Sequence, residues 1–370
     1  MSEPNISAVL LEKGNLKLEE RPIPKPGKNE VQIAMHSVGI CGSDVHFWTD
    51  GAIGPFVVKA PMVLGHESSG TVSELGKGVS HLKVVLHLTS VETDCFTFTC
   101  TCPGDRVAIE PGVPCRYCSA CKGGRYNLCP EVKFCATPPV DGSLCRYYVH
   151  PADLCFKLPD NVSYEEGALL EPLSVGVHAC RRSEVTIGSK VFICGAGPIG
   201  LVCLQVAKAR GAAQVVITDI DVKRLEFARQ MGADVTVHVT SRDGQEVADQ
   251  VVQRLGCHPD VTIECSGAES SIHAGIYATQ PGGVLMIVGL GRRLATIPLL
   301  DAALKEVDIR GNLRYANDYP TALAMIASGQ VNVKPLVSHR YSLEQTLEAF
   351  EFAKKGEGIK VMIHCDKNKA

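Results

Sequence analysis

The chain has 370 residues, 45% hydrophobic and 21% charged, with a net charge of −3. At roughly 150 residues per domain this suggests two or three globular domains. The lack of a basic excess argues against nucleic acid or an acidic membrane as a partner. Seventeen cysteines, an odd count in a long chain, do not fit a fully paired disulfide framework. The N-terminus has no basic stretch followed by an apolar one, so no signal peptide is expected. A cytoplasmic chain with reduced thiols is expected instead, with some cysteines as core residues and some as metal ligands.

Residues 1–170 read as mostly β. Glu30–Val38 and Arg106–Glu110 are apolar or alternating runs between Gly and Pro punctuation. The texture changes near residue 172. Lys190–Cys194 predicts a buried strand, and Pro198–Arg210 a helix on the spacing of Ile199, Val202, Cys203 and Val206. Gln214–Asp219 predicts a second strand. Asp221 then caps a helix carrying Leu225, Ala228 and Met231, closed by Gly232. Asp234–Val239, Asp260–Cys265 and Gly283–Gly289 read as further strands with helix-length segments between them. This alternation implies an α/β fold with a parallel sheet and right-handed crossovers. Val191–Ala207 carries no charge, but it is short for a membrane span and is broken by Gly195, Gly197, Pro198 and Gly200. No membrane span is expected.

Three groups of residues carry chemistry. Gly195-Ala196-Gly197-Pro198-Ile199-Gly200 follows a strand, opens a helix, and is followed by Asp219 at the end of the next strand. That is the dinucleotide fingerprint in its required context. Gly195 makes the turn, Gly197 admits the pyrophosphate, and Gly200 packs helix on strand. Asp219 accepts from the ribose hydroxyls and repels a 2′-phosphate, which favours NAD over NADP. Arg224 complicates this preference. Cys115, Cys118, Cys121 and Cys129 have the spacing C-x2-C-x2-C-x7-C in a Gly-containing polar loop. Four thiolates close a tetrahedral structural zinc site; an iron–sulfur cluster is the competing reading. Cys41, His66 and Glu67 form a more dispersed set. A Cys, a His and a carboxylate leave an open position, as a catalytic zinc requires. Adjacent His and Glu can share an ion only at a turn, and a lone Gly-His-Glu is more often a turn with a surface carboxylate.

Gly65, His66, Glu67, Gly70, Gly76 and Val79 fit G-H-E-x-x-G-x5-G-x2-V. With Cys41–His46, the four-cysteine lobe and Gly195–Gly200 following in order, the chain resembles the zinc-containing alcohol dehydrogenases of the medium-chain dehydrogenase/reductase superfamily. The likeness spans nearly the whole chain and is strongest to its polyol-oxidising members. It implies a mostly β GroES-like catalytic domain over 1–172, a Rossmann NAD-binding domain over 173–314, and a return to the catalytic domain over 315–370. It also implies oxidation of a polyol's secondary alcohol to a ketone, with hydride passing to NAD, and assembly as a homotetramer.

By the same resemblance, Cys41, His66 and Glu67 hold catalytic zinc. Glu171 acts through water or substrate, and Ser43 and His46 are candidates for a proton path. A structural role for His46 near the cofactor ribose is as consistent with the residues. Arg314 and Tyr315 contact substrate. Gly195, Gly197, Ile199, Gly200, Asp219, Arg224, Val288, Gly289, Leu290, Leu313 and Arg314 line NAD. Phe47 stands where these enzymes commonly carry a substrate-contacting tyrosine. The four-cysteine lobe is complete, although it is often missing from mammalian polyol enzymes.

Residues 84–102, VVLHLTSVETDCFTFTCTC, separate Lys83 from Pro103 and have no counterpart in the family pattern. They hold Cys95, Cys100, Cys102 and His87. They read as an added surface segment of apolar, β-prone composition and therefore as an aggregation liability. Other zinc-dependent alcohol or threonine dehydrogenases, and an inactive form bearing this insert, are the competing functions.

Overall fold

A computed structural model describes residues 4–79 and 104–366. The 84–102 insert and its cysteines lie outside the described residues. The chain divides into two compact units. One comprises Met1–Cys115, Glu131–Glu171 and Val337–Ala370, and the other Arg116–Pro130 and Pro172–Leu336.

The first unit is built on a seven-stranded sheet. Its path runs Cys155–Lys157, Arg106–Ile109, Glu67–Leu75, Glu30–Gly39, Lys360–His364 and Val337–Ser342, with Tyr147–Pro151 also paired to Glu30–Gly39. Inward residues alternate along the strands, as period-2 burial demands. Val31, Ile33, Val72, Val107, Ile109 and Ile363 join Phe47, Trp48 and Phe350 in one core. The helix Gly42–Asp50 was not legible as a helix, because its interior holds Val, Phe, Trp and Thr, all weak helix formers. It is set instead by Asp44, whose carboxylate accepts the N–H of the preceding cap residue, Cys41, at 3.1 Å.

The second unit is a six-stranded parallel sheet. In chain order its strands are Lys190–Cys194, Gln214–Asp219, Val235–His238, Val261–Glu264, Val284–Ile287 and Asp308–Gly311. Their spatial order is 3-2-1-4-5-6, the doubly wound arrangement whose ligand crevice opens where the order reverses. That point lies between Lys190–Cys194 and Val261–Glu264, with Cys194 opposite Glu264. Five strand-to-strand connections are helical or helix-containing, as right-handed crossovers require. The sheet interior is fully apolar, with Phe192, Ile193, Val216, Ile217, Ile263 and Leu285 buried.

The unit boundaries refine the sequence reading in two places. Residues 315–336 belong with the second unit, and the chain re-enters the first at Val337. The reason is Asp318, buried beside His178 Nδ1 at 2.9 Å and Arg181 Nη2 at 3.1 Å, both on the helix Leu170–Arg182. Residues 116–130 also group with the second unit. No helix among the described residues is long and apolar enough to cross a membrane.

Candidate active site and metal centres

Cys41, His66 and Glu67 come together in the first unit, with one ligand atom from each within 4.8 Å of the others. The local chain explains how. Cys41 ends the Glu30–Gly39 run and caps the helix Gly42–Asp50. Gly65, in the left-handed region at φ 88°, turns the chain just before His66. The strand begins only at Glu67, so the adjacent His and Glu are not confined to alternate faces.

Two residues that motif reading did not single out complete the cluster. Asp44 is fully buried. Its Oδ1 accepts the Gly65 N–H at 3.1 Å and lies 3.4 Å from His66 Nδ1. The second distance is electrostatic contact rather than a formed hydrogen bond. Among the described residues His66 Nδ1 has no hydrogen-bond partner. Lys360 donates to Glu67 Oε1 at 2.6 Å, to Glu67 Oε2 at 2.7 Å and to the Ile40 carbonyl at 3.1 Å. Gly39 pairs with Glu67 on one side and Met362 on the other. A Cβ there would overlap the Glu67 carboxylate, so glycine keeps the lysine–glutamate path open.

Burial opposes charge at each of these groups, and their neighbours overcome it. Burial raises the Asp44 carboxyl, but His66 and the amides of Cys41 and Gly65 bring it below its usual range. Burial pulls His66 down, and Asp44 and Cys41 outweigh that and lift it. Burial likewise pulls Lys360 down, and Glu67 together with Cys41 and Glu171 outweighs that and raises it. The pocket therefore gathers a thiol, an imidazole and two carboxylates, with Asp44 set against His66 Nδ1. Its donor set of one sulfur, one nitrogen and one carboxylate oxygen fits zinc with a position left open. A carboxylate has enough lone pairs to serve Lys360 and an ion together.

Glu171 is buried in the first turn of Leu170–Arg182 and lies outside the three-residue ligand group. Ser43 is half-buried. His46 is 58% exposed and bonded through Nδ1 to Asp50 at 2.9 Å. Phe47 sits in the first unit's core at 4% exposure, packed there by the helix face that also buries Trp48.

Cys115, Cys118, Cys121 and Cys129 converge independently, their sulfurs all within 4.8 Å, with Cys118 and Cys121 3.5 Å apart. At about 2.3 Å per Zn–S bond this is a spread one tetrahedral ion can bridge. Three of the four are half-buried in a short polar lobe rather than packed in a core.

In the second unit the glycine motif behaves as its spacing requires. Gly195 turns at φ 95° against Ser266, and a Cβ at Gly200 would overlap the Gly195 carbonyl. A Cβ at Gly197 would meet no group outside its own helix nearer than Arg224 Nη1 at 4.0 Å, which leaves room for a phosphate. Gly197 caps the helix Pro198–Ala209 with Pro198 at its first position, so its first amides are unspent. Asp219 Oδ2 accepts the Ala196 N–H at 2.7 Å and Oδ1 that of Asp221 at 2.9 Å, tying the acidic residue to the loop itself. A cavity of about 720 Å³ opens beside them, lined by Ile220, Gly267, Glu269, Ile287, Gly289 and Gly291 among others. These features fit a dinucleotide. Of the other expected cofactor residues, Ile199, Arg224 and Val288 are half-buried, Leu290 and Leu313 are exposed, and Arg314 is half-buried beside the buried Tyr315. Glu264 was missed. Its Oε1 accepts the N–H groups of Ser266 and Gly267 at 2.7 and 2.9 Å and so fixes the turn that lines the cavity.

Residues 27–160 match the alcohol dehydrogenase GroES-like domain, and residues 198–328 the zinc-binding dehydrogenase domain. The chain is 59% identical to sorbitol dehydrogenase of Homo sapiens, over 98% of this chain and 96% of the other.

The chain belongs to the zinc-containing alcohol dehydrogenase family.

Another member, sorbitol dehydrogenase of Macaca fascicularis, is 58% identical over 98% of this chain and 97% of its own. Among solved structures, L-idonate 5-dehydrogenase from Escherichia coli superposes with a TM-score of 0.86 at 31% identity, covering 99% of each chain. The two-unit architecture, mostly β and Rossmann, is that of this family.

Proposed function

We propose that this zinc-containing dehydrogenase oxidises sorbitol to fructose, and related polyols such as xylitol to ketoses, with NAD as hydride acceptor. The observation that carries the reading is the convergence of Cys41, His66 and Glu67 donor atoms within 4.8 Å, in a chain 56–59% identical to sorbitol dehydrogenases. When bound, zinc supplies Lewis-acid polarisation of the alcohol oxygen and the nicotinamide takes the hydride.

The chain's own residues do the positioning. Cys41, His66 and Glu67 hold the metal, Asp44 sets the His66 ring, and Lys360 sets the Glu67 carboxylate. Glu171 is assigned to the metal-side water or the substrate hydroxyl, where it takes up or relays a proton. Ser43 and His46 are assigned to the path toward solvent, on which the exposed His46–Asp50 pair can exchange protons with water. Arg314 and Tyr315 are assigned to the polyol. Asp219, held by Ala196 and Asp221, keeps lone pairs for the adenosine ribose hydroxyls and disfavours a 2′-phosphate. The four-cysteine lobe holds a second, structural zinc. Phe47 brings no hydroxyl to the polyol, whose recognition falls to other groups. A cytoplasmic homotetramer is the matching assembly, on the family likeness alone.

The test follows NADH formation with sorbitol, xylitol, threonine and ethanol side by side, with and without a chelator. Turnover of sorbitol and xylitol that the chelator abolishes is the expected result. Preference for threonine or ethanol would move the chain to another branch of the family. No turnover of any alcohol by the zinc-loaded chain would sink the enzymatic reading.

A further inference from the structure

The four-cysteine lobe grips the loop that carries Arg314 and Tyr315. Asn127 Nδ2 donates to the Leu313 carbonyl at 2.9 Å. The Tyr126 hydroxyl oxygen accepts the Asn317 N–H at 2.8 Å, and Asn317 Nδ2 donates to the Gly124 carbonyl at 2.9 Å. The three bonds thus bracket residues 314–316 from both ends. Asn127 is 7% exposed, and among the described residues its Oδ1 has no partner. Its side chain is buried for the sake of a single bond to this loop.

The bracketed segment needs holding. Arg314 at φ 51° and Asn317 at φ 60° both occupy the left-handed region, which an arginine rarely adopts. On its other side the loop is fixed by Asp318 Oδ2, which accepts the Ala316 N–H, and by Arg181, which donates to the Ala316 carbonyl. The lobe itself has little apolar support. Its helix Ser119–Lys122 buries no residue, and Tyr117 is 80% exposed. The Tyr126–Leu128 turn, closed by the Cys129 N–H on the Tyr126 carbonyl at 3.0 Å, runs directly into the thiol cluster at Cys129.

We propose that the four-cysteine lobe is a positioning element for the polyol-binding loop, acting through Tyr126 and Asn127 on Leu313 and Asn317. This rests on the assignment of Arg314 and Tyr315 to the substrate. An intact lobe presets the strained loop, so polyol binding does not have to order it.

The test uses the full-length, zinc-loaded enzyme with the double variant Tyr126→Phe, Asn127→Ala, neither residue being a thiol ligand. The sorbitol KM should rise roughly tenfold, the consequence of losing one or two ordering hydrogen bonds. Zinc per chain, and the inhibition constant of AMP against NAD, which reads the Asp219 end of the nucleotide site, should stay unchanged. Hydrogen exchange over 313–317 should quicken, both in this variant and when the lobe metal is removed through Cys121→Ser. Should the double variant fold poorly, Asn317→Gly removes one bond from the loop side, suits the left-handed backbone and leaves the lobe untouched; it should raise the sorbitol KM in the same direction. Unchanged KM and unchanged exchange in these variants at full zinc content would overturn the proposal. Arg314→Ala separates the two layers. If it raises the sorbitol KM while the clamp variants do not, only the lobe's role fails. If it leaves the KM unchanged, the substrate assignment fails and the lobe's role with it.

Discussion

Replacing Lys360 by Met tests Glu67 as a zinc ligand. The Lys360 side chain is 4% exposed and that of Glu67 1%, so the pair is out of water. Two charge-assisted bonds of 2.6 and 2.7 Å join them. Removing one partner of a buried pair leaves an uncompensated charge and costs about 3–5 kcal/mol. In a unit of this size that is a fall of on the order of 10 °C in Tm. That full loss is expected in chelator-treated protein. With zinc bound, the ion neutralises the same carboxylate, and the loss should fall to about half or less, since a metal ligand needs no lysine to balance it. The assay is thermal unfolding by circular dichroism of wild type and Lys360→Met, each chelated and zinc-loaded, with Lys360→Arg as the charge-retaining control. Equal losses in the two metal states would refute the reasoning, because zinc would then be giving Glu67 nothing that Lys360 gave.

Metal analysis of the loaded chain should give about two zinc per chain, and Cys41→Ser about one, with kcat lowered a hundredfold or more; loss of both ions from Cys41→Ser would argue against separate centres. Asp219→Ser should weaken NAD use and narrow the preference over NADP, read as the ratio of kcat/KM for the two cofactors; an unchanged ratio would remove Asp219 from the ribose. Glu165 is held down to about 2 chiefly by its hydrogen bond to His364, against burial and with help from Arg340. A carboxyl depressed in the folded state stabilises above its unfolded value near 4.5 and loses that contribution as pH falls toward 2. Glu165→Gln should therefore lower the Tm of chelated protein at neutral pH, with the gap to wild type closing between pH 4.5 and 2; a gap independent of pH would contradict the His364 and Arg340 pairing.

Local pattern carried the first five strands of the second unit's sheet, and left out the sixth, Asp308–Gly311. Lys190–Cys194 and Gln214–Asp219 are strands over the ranges their apolar runs predict. Asp221 caps its helix by accepting from Lys223 and Arg224. Period and capping are short-range physics, and this part of the fold is built from short-range units. The two candidate metal-binding groups were legible for a different reason: the four-cysteine spacing by itself, and Cys41, His66 and Glu67 through the family pattern they fit. Lys360 was not. Its strand reads as KVMIH, an ordinary buried run, and its partner lies 293 positions away. Only the pairing of Glu30–Gly39 with strands on both sides brings the two together. Asp44 was hidden similarly, as one acidic residue in a weak helix, until the fold put Gly65 and His66 against it.

The cysteines show why residue type and spacing could go only part of the way. Cys145, Cys180 and Cys194 are buried among apolar neighbours, and burial pushes their thiols up. Cys365 is pushed up to about 12, again by burial first. Such thiols stay protonated and pack as small hydrophobes. Cys41 and three of the four lobe cysteines are only half-buried, and each stands where other donors converge. A metal ligand must lose its proton, so it needs compensating charge or hydrogen bonding that a core thiol lacks. The same residue thus divides by environment into packing and coordination. In the lobe that division reaches further, because the turn adjoining Cys129 also carries the two side chains that hold the Arg314–Tyr315 loop.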